Sequence, residues 1–134
     1  PPLDVLLLPG TAEVSEYAWR DPNILDWVRQ QYEKVEYMTA VCTGGLILQK
    51  AGLLRGRRAT THWQLMDAFE NDPEITALPE ARYVRDGKIV TSQGVSAGMD
   101  MALWLVGQLH NPDHARAVRK ILQYDPAPPY AAEV

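Results

Sequence analysis

Short continuous apolar runs alternate along this chain with apolar sets at helical spacing. Val5 to Leu8 is a continuous run closed by Pro9-Gly10, the pattern of a fully buried strand in a parallel sheet. Asp21-Pro22 opens a helix, with Asp as cap and Pro in the first turn. Ile24, Leu25, Val28, Tyr32 and Val35 share its apolar face; Asp26, Arg29, Gln30 and Glu33 fill the other. Tyr37 to Val41 predicts a second strand. It runs straight into Cys42-Thr43-Gly44-Gly45 and then a helix through Leu46, Ile47, Leu48 and Ala51, stopped by Gly52. Arg57 to Thr60 predicts a short strand. Trp63, Leu65, Met66 and Phe69 predict a short helix that Asp72-Pro73 breaks. Ala81 to Arg85 and Lys88 to Ser92 flank Asp86-Gly87, a two-residue hairpin signal. After Gly94-Val95, Ser96 caps a helix whose residues Met99, Met101, Ala102, Leu103, Leu105 and Val106 are apolar nearly all round, so it is expected to be buried. A last helix is predicted from Pro112 to about Gln123. The segment Asp125-Pro126-Ala127-Pro128-Pro129 is expected to lie extended on the surface. With no repeat and no linker, the pattern is that of one α/β domain over residues 1–134, with a mainly parallel sheet and one hairpin. Ligands in such sheets bind at the carboxyl ends of strands.

Composition narrows the function classes. The chain has 134 residues, 46% hydrophobic and 22% charged, which is ordinary for a folded domain. Its formal net charge of -4 argues against a nucleic-acid binder that relies on charge. No apolar run is long enough to cross a membrane. One cysteine excludes an internal disulfide and a multi-cysteine metal site, and it fits a reducing, cytoplasmic setting. Pro1-Pro2-Leu3-Asp4 has no initiator Met, no basic region and no cleavage site, so a trimmed or partial chain is expected rather than a signal peptide.

Cys42 is the sharpest chemical candidate. It stands between a strand and a glycine-containing helix start, where a tight turn exposes a nucleophile above the sheet. A helix N-terminus favours a thiolate. The competing reading, a buried inert cysteine, is equally open on position alone. His62, after a predicted strand, is a candidate base or hydrogen-bond partner for Cys42, against the commoner role of a satisfied structural histidine. His110 and His114 have a helical metal-ligand spacing, but Pro112 lies between them and no H-E-x-x-H motif accompanies them, so no metal site is expected. The backbone N–H groups of Gly10 and Thr11 are candidates to face a developing oxyanion. Asp100 suits the first turn of its helix. Arg55, Arg57 and Arg58 read as a solvated loop, and Trp19, Trp27, Trp63 and Trp104 as mostly core or interface residues.

Taken in order, five segments resemble the ThiJ/PfpI superfamily, the cysteine-elbow branch of the class I glutamine amidotransferase-like fold. They are Asp4-Val5-Leu6-Leu7-Leu8-Pro9-Gly10, Ala40-Val41-Cys42-Thr43-Gly44, the stretch from Ala51 through Thr60-Thr61-His62-Trp63, the hairpin from Arg82 to Ser92, and Val95-Ser96-Ala97-Gly98-Met99-Asp100-Met101. The tail from Leu122 to Tyr130 resembles the end of isocyanide hydratases in that superfamily. The resemblance implies a flavodoxin-like sandwich, usually a homodimer. It implies Cys42 as nucleophile, Thr43 beside it in the elbow, His62 close by, and Gly10, Thr11 and Gly44 lining the substrate pocket, with no cofactor. Two departures stand out. The usual glycine pair after the proline is Gly10-Thr11 here. Family members also carry a further strand–helix unit in front, whose carboxylate hydrogen-bonds the cysteine, and no residue here matches it. The N-terminal strand–helix unit is therefore expected to be missing, with apolar faces exposed where it would pack.

Three functions follow as expectations. The first is a hydratase that adds water to an isocyanide, a small electrophile, giving an N-substituted formamide. The second is a glyoxalase- or deglycase-like enzyme acting on methylglyoxal with His62 as base. The third is a non-enzymatic redox sensor using Cys42.

Overall fold

The structure, a computed structural model, describes residues 1–11 and 19–126. The described chain forms two compact units, Pro1–Met101 and Ala102–Val134. In the first, β1 (Val5–Leu8), β2 (Tyr37–Val41), β5 (Tyr83–Asp86) and β6 (Ile89–Ser92) form a sheet in the order β1-β2-β6-β5. The β1–β2 and β2–β6 pairs are parallel and β5–β6 is antiparallel. The expected flavodoxin-like α/β architecture, mainly parallel with one hairpin, is what forms. The hairpin turns one residue later than its signal: Asp86 ends β5 opposite Ile89, and Gly87-Lys88 make the turn, with Gly87 at φ +61°. A second, two-stranded parallel sheet pairs β3 (Arg57–Ala59) with β4 (Ile75–Ala77).

Helix α1 (Pro22–Lys34) begins as its sequence dictates: the Asp21 carboxylate accepts from the Asn23 N–H at 2.8 Å. Val28 is buried, but Ile24, placed on the apolar face by its spacing, is exposed. Helix α2 (Gly45–Lys50) follows a 3-10 turn at Cys42–Gly44, and Gly52 leaves it at φ +77°. A 3-10 turn at Trp63–Leu65 leads into α3 (Met66–Glu70). The core joins Val28, Met38, Leu48, Leu54, Phe69 and Ile89. Each such side chain contributes roughly 1.5–3 kcal/mol by leaving water.

Several expectations need correction. β1 is parallel but not fully buried: it is the edge strand, only Leu8 is buried, and Leu7 is 47% exposed. A strand's burial depends on what pairs with its open edge, which its own sequence does not encode. Helix α4 (Ser96–Leu109) buries Ala97, Gly98 and Met101, while Met99 and Leu109 are exposed, so it is not buried all round. Ser96 is its first helical residue rather than its cap. Of the four tryptophans, Trp19 packs half-buried against the core and Trp104 is half-buried, while Trp63 and Trp27 are exposed and so are not core residues.

Arg57 and Arg58 lie on a strand rather than a solvated loop. Arg57 pairs with Asp86 at 3.1 Å and also donates to the Tyr32 hydroxyl, and the Arg58 N–H donates to Asp86 at 3.0 Å. Arg55, in an exposed pair with Glu74, fits the solvated picture, and the Arg58 side chain is exposed although its backbone lies on the strand.

In the second unit, α5 (Pro112–Ile121) is capped by Asn111, which accepts from the His114 N–H at 2.8 Å. The proline-rich segment lies outside the described residues from Ala127 onward.

Candidate active site

Parallel pairing of β1, β2 and β6 brings their carboxyl ends together. Cys42 follows β2 and takes φ +57°, a left-handed conformation rare for a non-glycine residue. Such strain costs about 1–3 kcal/mol and persists only where the surroundings over-determine it. Three contacts do so here. The Cys42 N–H donates to the Gln93 carbonyl beyond β6 at 3.3 Å. The Cys42 carbonyl accepts from the buried Thr61 hydroxyl at 2.8 Å. It also accepts from the Gly45 N–H, which closes the 3-10 turn.

The loop after β1 closes over the thiol. A Cβ built on Gly10 would stand 2.7 Å from Cys42 Cβ and 3.1 Å from its Sγ, so only glycine fits there. Thr43 holds this loop: its Oγ1 accepts from the Thr11 N–H at 2.7 Å and donates to the Thr11 carbonyl at 3.1 Å. This corrects one expectation, because the Thr11 amide is committed to Thr43 rather than turned toward an oxyanion. Gly44 needs a second correction. It does not line the cleft; a Cβ on it would meet the Leu8 carbonyl oxygen at 2.3 Å. Its role is to let the Cys42 turn pack against the end of β1.

Cys42, Thr43, Gly10, Thr11 and His62 all line one cleft of about 420 Å³, with Val41, Gln64 and Val95 completing the described wall. No Asp, Glu, Lys or Arg is among these residues. Sequence reasoning thus placed Cys42 and His62 on one cleft. His62 Nδ1 accepts from the Gln64 N–H at 3.3 Å, capping the 3-10 turn. A neutral imidazole whose Nδ1 accepts carries its proton on Nε2. The ring is packed against Gly94, where a Cβ would come within 2.4 Å of Cδ2.

Val41, Gln64, Thr61 and Val95 escaped the sequence reading as site residues. Thr61 stood inside the Thr60-Thr61-His62 segment but gave no signal of its own, since a hydroxyl's partner is fixed only by the fold. Val95 takes φ +45° with 81% of its surface exposed. Its neighbour Gly94 was the only hint of an unusual turn. Asp100 pairs with Arg82, whose guanidinium also donates to the Ser96 hydroxyl; it is the fifth residue of α4, whose first turn holds no acidic residue, so the expected first-turn placement is corrected because the helix starts at Ser96. The rings of His110 and His114 lie 4.7 Å apart, closer than the intervening proline suggested. Among the described residues, no group of three or more His, Cys, Asp or Glu could hold a metal ion. No helix among them is long and apolar enough to cross a membrane.

Comparison with known proteins agrees with this geometry. The profile of the DJ-1/PfpI family matches residues 2–108. The isonitrile hydratase of Pseudomonas putida is 45% identical over 97% of this chain and 56% of its own length. The HTH-type transcriptional regulator CdhR of Pseudomonas aeruginosa is 35% identical over 70% of this chain and 28% of its own. Among solved structures, a ThiJ/PfpI family protein from Pseudomonas syringae superposes with a TM-score of 0.85 at 37% identity, over 98% of this chain and 53% of that one. The chain thus spans about half the length of the hydratase and of that solved relative.

Proposed function

The chain belongs to the DJ-1/PfpI family, and from that premise we propose that it carries the nucleophile of a hydratase converting isocyanides to N-substituted formamides. The observation that carries this reading is the 45% identity to isonitrile hydratase across nearly the whole chain. The strained thiol over an uncharged cleft supports it.

The chemistry is covalent catalysis. The Cys42 thiolate adds to the terminal carbon of R–N≡C and forms the C–S bond. A proton is delivered to that same carbon, giving a thioimidate, R–N=CH–S. Water adds across the C=N bond, with oxygen to carbon and hydrogen to nitrogen. The C–S bond then breaks, the thiolate leaves, and the hydroxyl proton returns to the base left by the first step. The product is R–NH–CHO. Cys42 supplies the nucleophile, and Thr43 keeps the Gly10 loop over it. The His62 Nε2–H is the donor available to the substrate nitrogen. The described cleft wall holds no carboxylate to serve as the acid that protonates carbon. Assembly as a homodimer belongs to the same proposal.

The protein as its gene encodes it is expected to turn cyclohexyl isocyanide into N-cyclohexylformamide, followed by NMR. No formamide under conditions where Cys42 is reduced would remove the reading.

A second reading has its own support, because the transcriptional regulator CdhR is 35% identical over 70% of this chain. In it, Cys42 is a sensor thiol that oxidises to the sulfinic acid. Mild peroxide would then add two oxygen atoms per chain by intact mass. The methylglyoxal reading needs a base, for which His62 on the same cleft wall is the candidate.

A further inference from the structure

We propose that Val95 selects the substrate at Cys42, and that it selects neutral molecules with an apolar substituent. This rests on the reading of Cys42 as the reactive group and adds the feature that chooses among its substrates.

Val95 combines two properties that fold stability alone disfavours. It is β-branched at φ +45°, where such a residue is a genuine outlier. It is also 81% exposed, so burial of its side chain in the core does not offset the strain. Glycine or asparagine would occupy the same turn without penalty. The backbone has no freedom to relax. Gly94 is pressed against His62, and the Ala97 and Gly98 N–H groups donate to the Gly94 and Val95 carbonyls. Gly98 in turn lies so close to Val41 that a Cβ would reach its Cγ1 at 2.7 Å. Gln93 ties the segment to the nucleophile by accepting the Cys42 N–H.

The outcome is an apolar side chain held at a fixed point of the cleft wall. Val95 lines the Cys42 cleft of about 420 Å³ and also a neighbouring cleft of about 240 Å³, the two sharing His62. In the Cys42 cleft its apolar counterpart is Val41, and the described wall has no charged side chain to receive an anion or a cation. The one charged group beside the second cleft, Arg82, is already paired with Asp100. Water-exposed apolar surface facing an uncharged reactive centre fits the apolar group of a substrate whose reacting carbon must reach Cys42.

With one cysteine in the chain, alkylation reads this selectivity without any assumption about the reaction. Rate constants are measured with iodoacetamide and with N-hexyl iodoacetamide, each divided by its rate with N-acetylcysteine amide. The hexyl reagent is expected to be favoured about tenfold, the scale of removing a few methylenes from water. In Val95→Gly and Val95→Asn the preference is expected to fall to near unity, with thermal stability equal or higher. Ile121→Asn, at an equally exposed apolar position that lines neither cleft, should keep it. An unchanged preference in both Val95 variants overturns the proposal. So does a change in sedimentation without a change in preference, which would make Val95 a self-association residue. If preference follows Val95 but no isocyanide is hydrated, the reaction assignment fails and the selector stands. If isocyanides are hydrated and KM for different substituents ignores Val95, the selector fails and the reaction stands.

Discussion

The two ends of the β2–β6 pair are built on opposite plans. At the amino end of β6, the turn residue with positive φ is Gly87, which takes that conformation without strain. The charged side chain there, Asp86, is held by the Arg58 N–H and by the Arg57 guanidinium. At the carboxyl end, the residues with positive φ are Cys42 and Val95, for which it is unfavourable. The cleft beside them is bounded by uncharged side chains. One end is relaxed and electrostatically satisfied; the other holds strain and open volume. Strain of this kind clusters where a ligand is handled. The difference sets the carboxyl end apart as the candidate site, in line with the rule for parallel sheets.

Removing the clamp on Cys42 should blur the contrast most. Thr61→Val keeps the shape but deletes one of the two donors to the Cys42 carbonyl, so unfolding in urea should show a loss of about 1.5 kcal/mol. Alkylation of Cys42 should slow with it. Thr61→Ser restores the donor and should recover both, and a Ser variant as slow as the Val variant would refute the clamp.

The relaxed end should respond through charge. The Arg58 amide, opposed by desolvation and aided by Arg57, holds the Asp86 carboxyl below the ordinary carboxylate value of 3.8. A carboxylate with a lowered folded value stabilises above its unfolded value, and that contribution is lost as pH falls through the folded one. Asp86→Asn should thus cost about 1 kcal/mol at pH 7, after a discount for partial exposure. The gap to the wild type should close below about pH 4. A gap that persists at pH 2 would mean that packing, not charge, holds this corner.

Exchanging glycine and non-glycine between the ends gives the smallest and most direct comparison. Gly87→Ala should lose about 1 kcal/mol, because a Cβ there adopts the left-handed region and approaches Arg57 Nη1 at 3.2 Å. Cys42→Gly should gain about 0.5 kcal/mol, relief of strain partly offset by backbone entropy. Melting curves that move the same way for both substitutions would contradict the asymmetry.

How much of this was legible beforehand depends on whether a feature is local. β2, the β5–β6 hairpin and the Asp21-Pro22 start of α1 were visible because periodicity and capping reside in neighbouring residues. β4 was not, since Ile75–Ala77 is too short to show a period and forms only because β3 pairs with it. The exposure of Leu7 and Ile24 was misjudged because an apolar pattern says what a face prefers, not what covers it. At the site, Cys42 and His62 were legible through the elbow and its resemblance. The Thr43–Thr11 clamp, the Thr61 bond and the packing role of Gly44 were not, as each joins residues far apart in sequence. Val95 was hidden for another reason: nothing in a valine's identity announces a positive φ.

The most direct test of the account is isocyanide turnover by the full-length protein with Cys42 removed. Cys42→Ala and Cys42→Ser should each lower formamide formation from cyclohexyl isocyanide at least about a thousandfold, the scale expected when a covalent nucleophile is lost, while melting no earlier than the wild type by more than a few degrees. Turnover retained within tenfold in a folded Cys42→Ala variant would contradict the claim that this thiol does the chemistry.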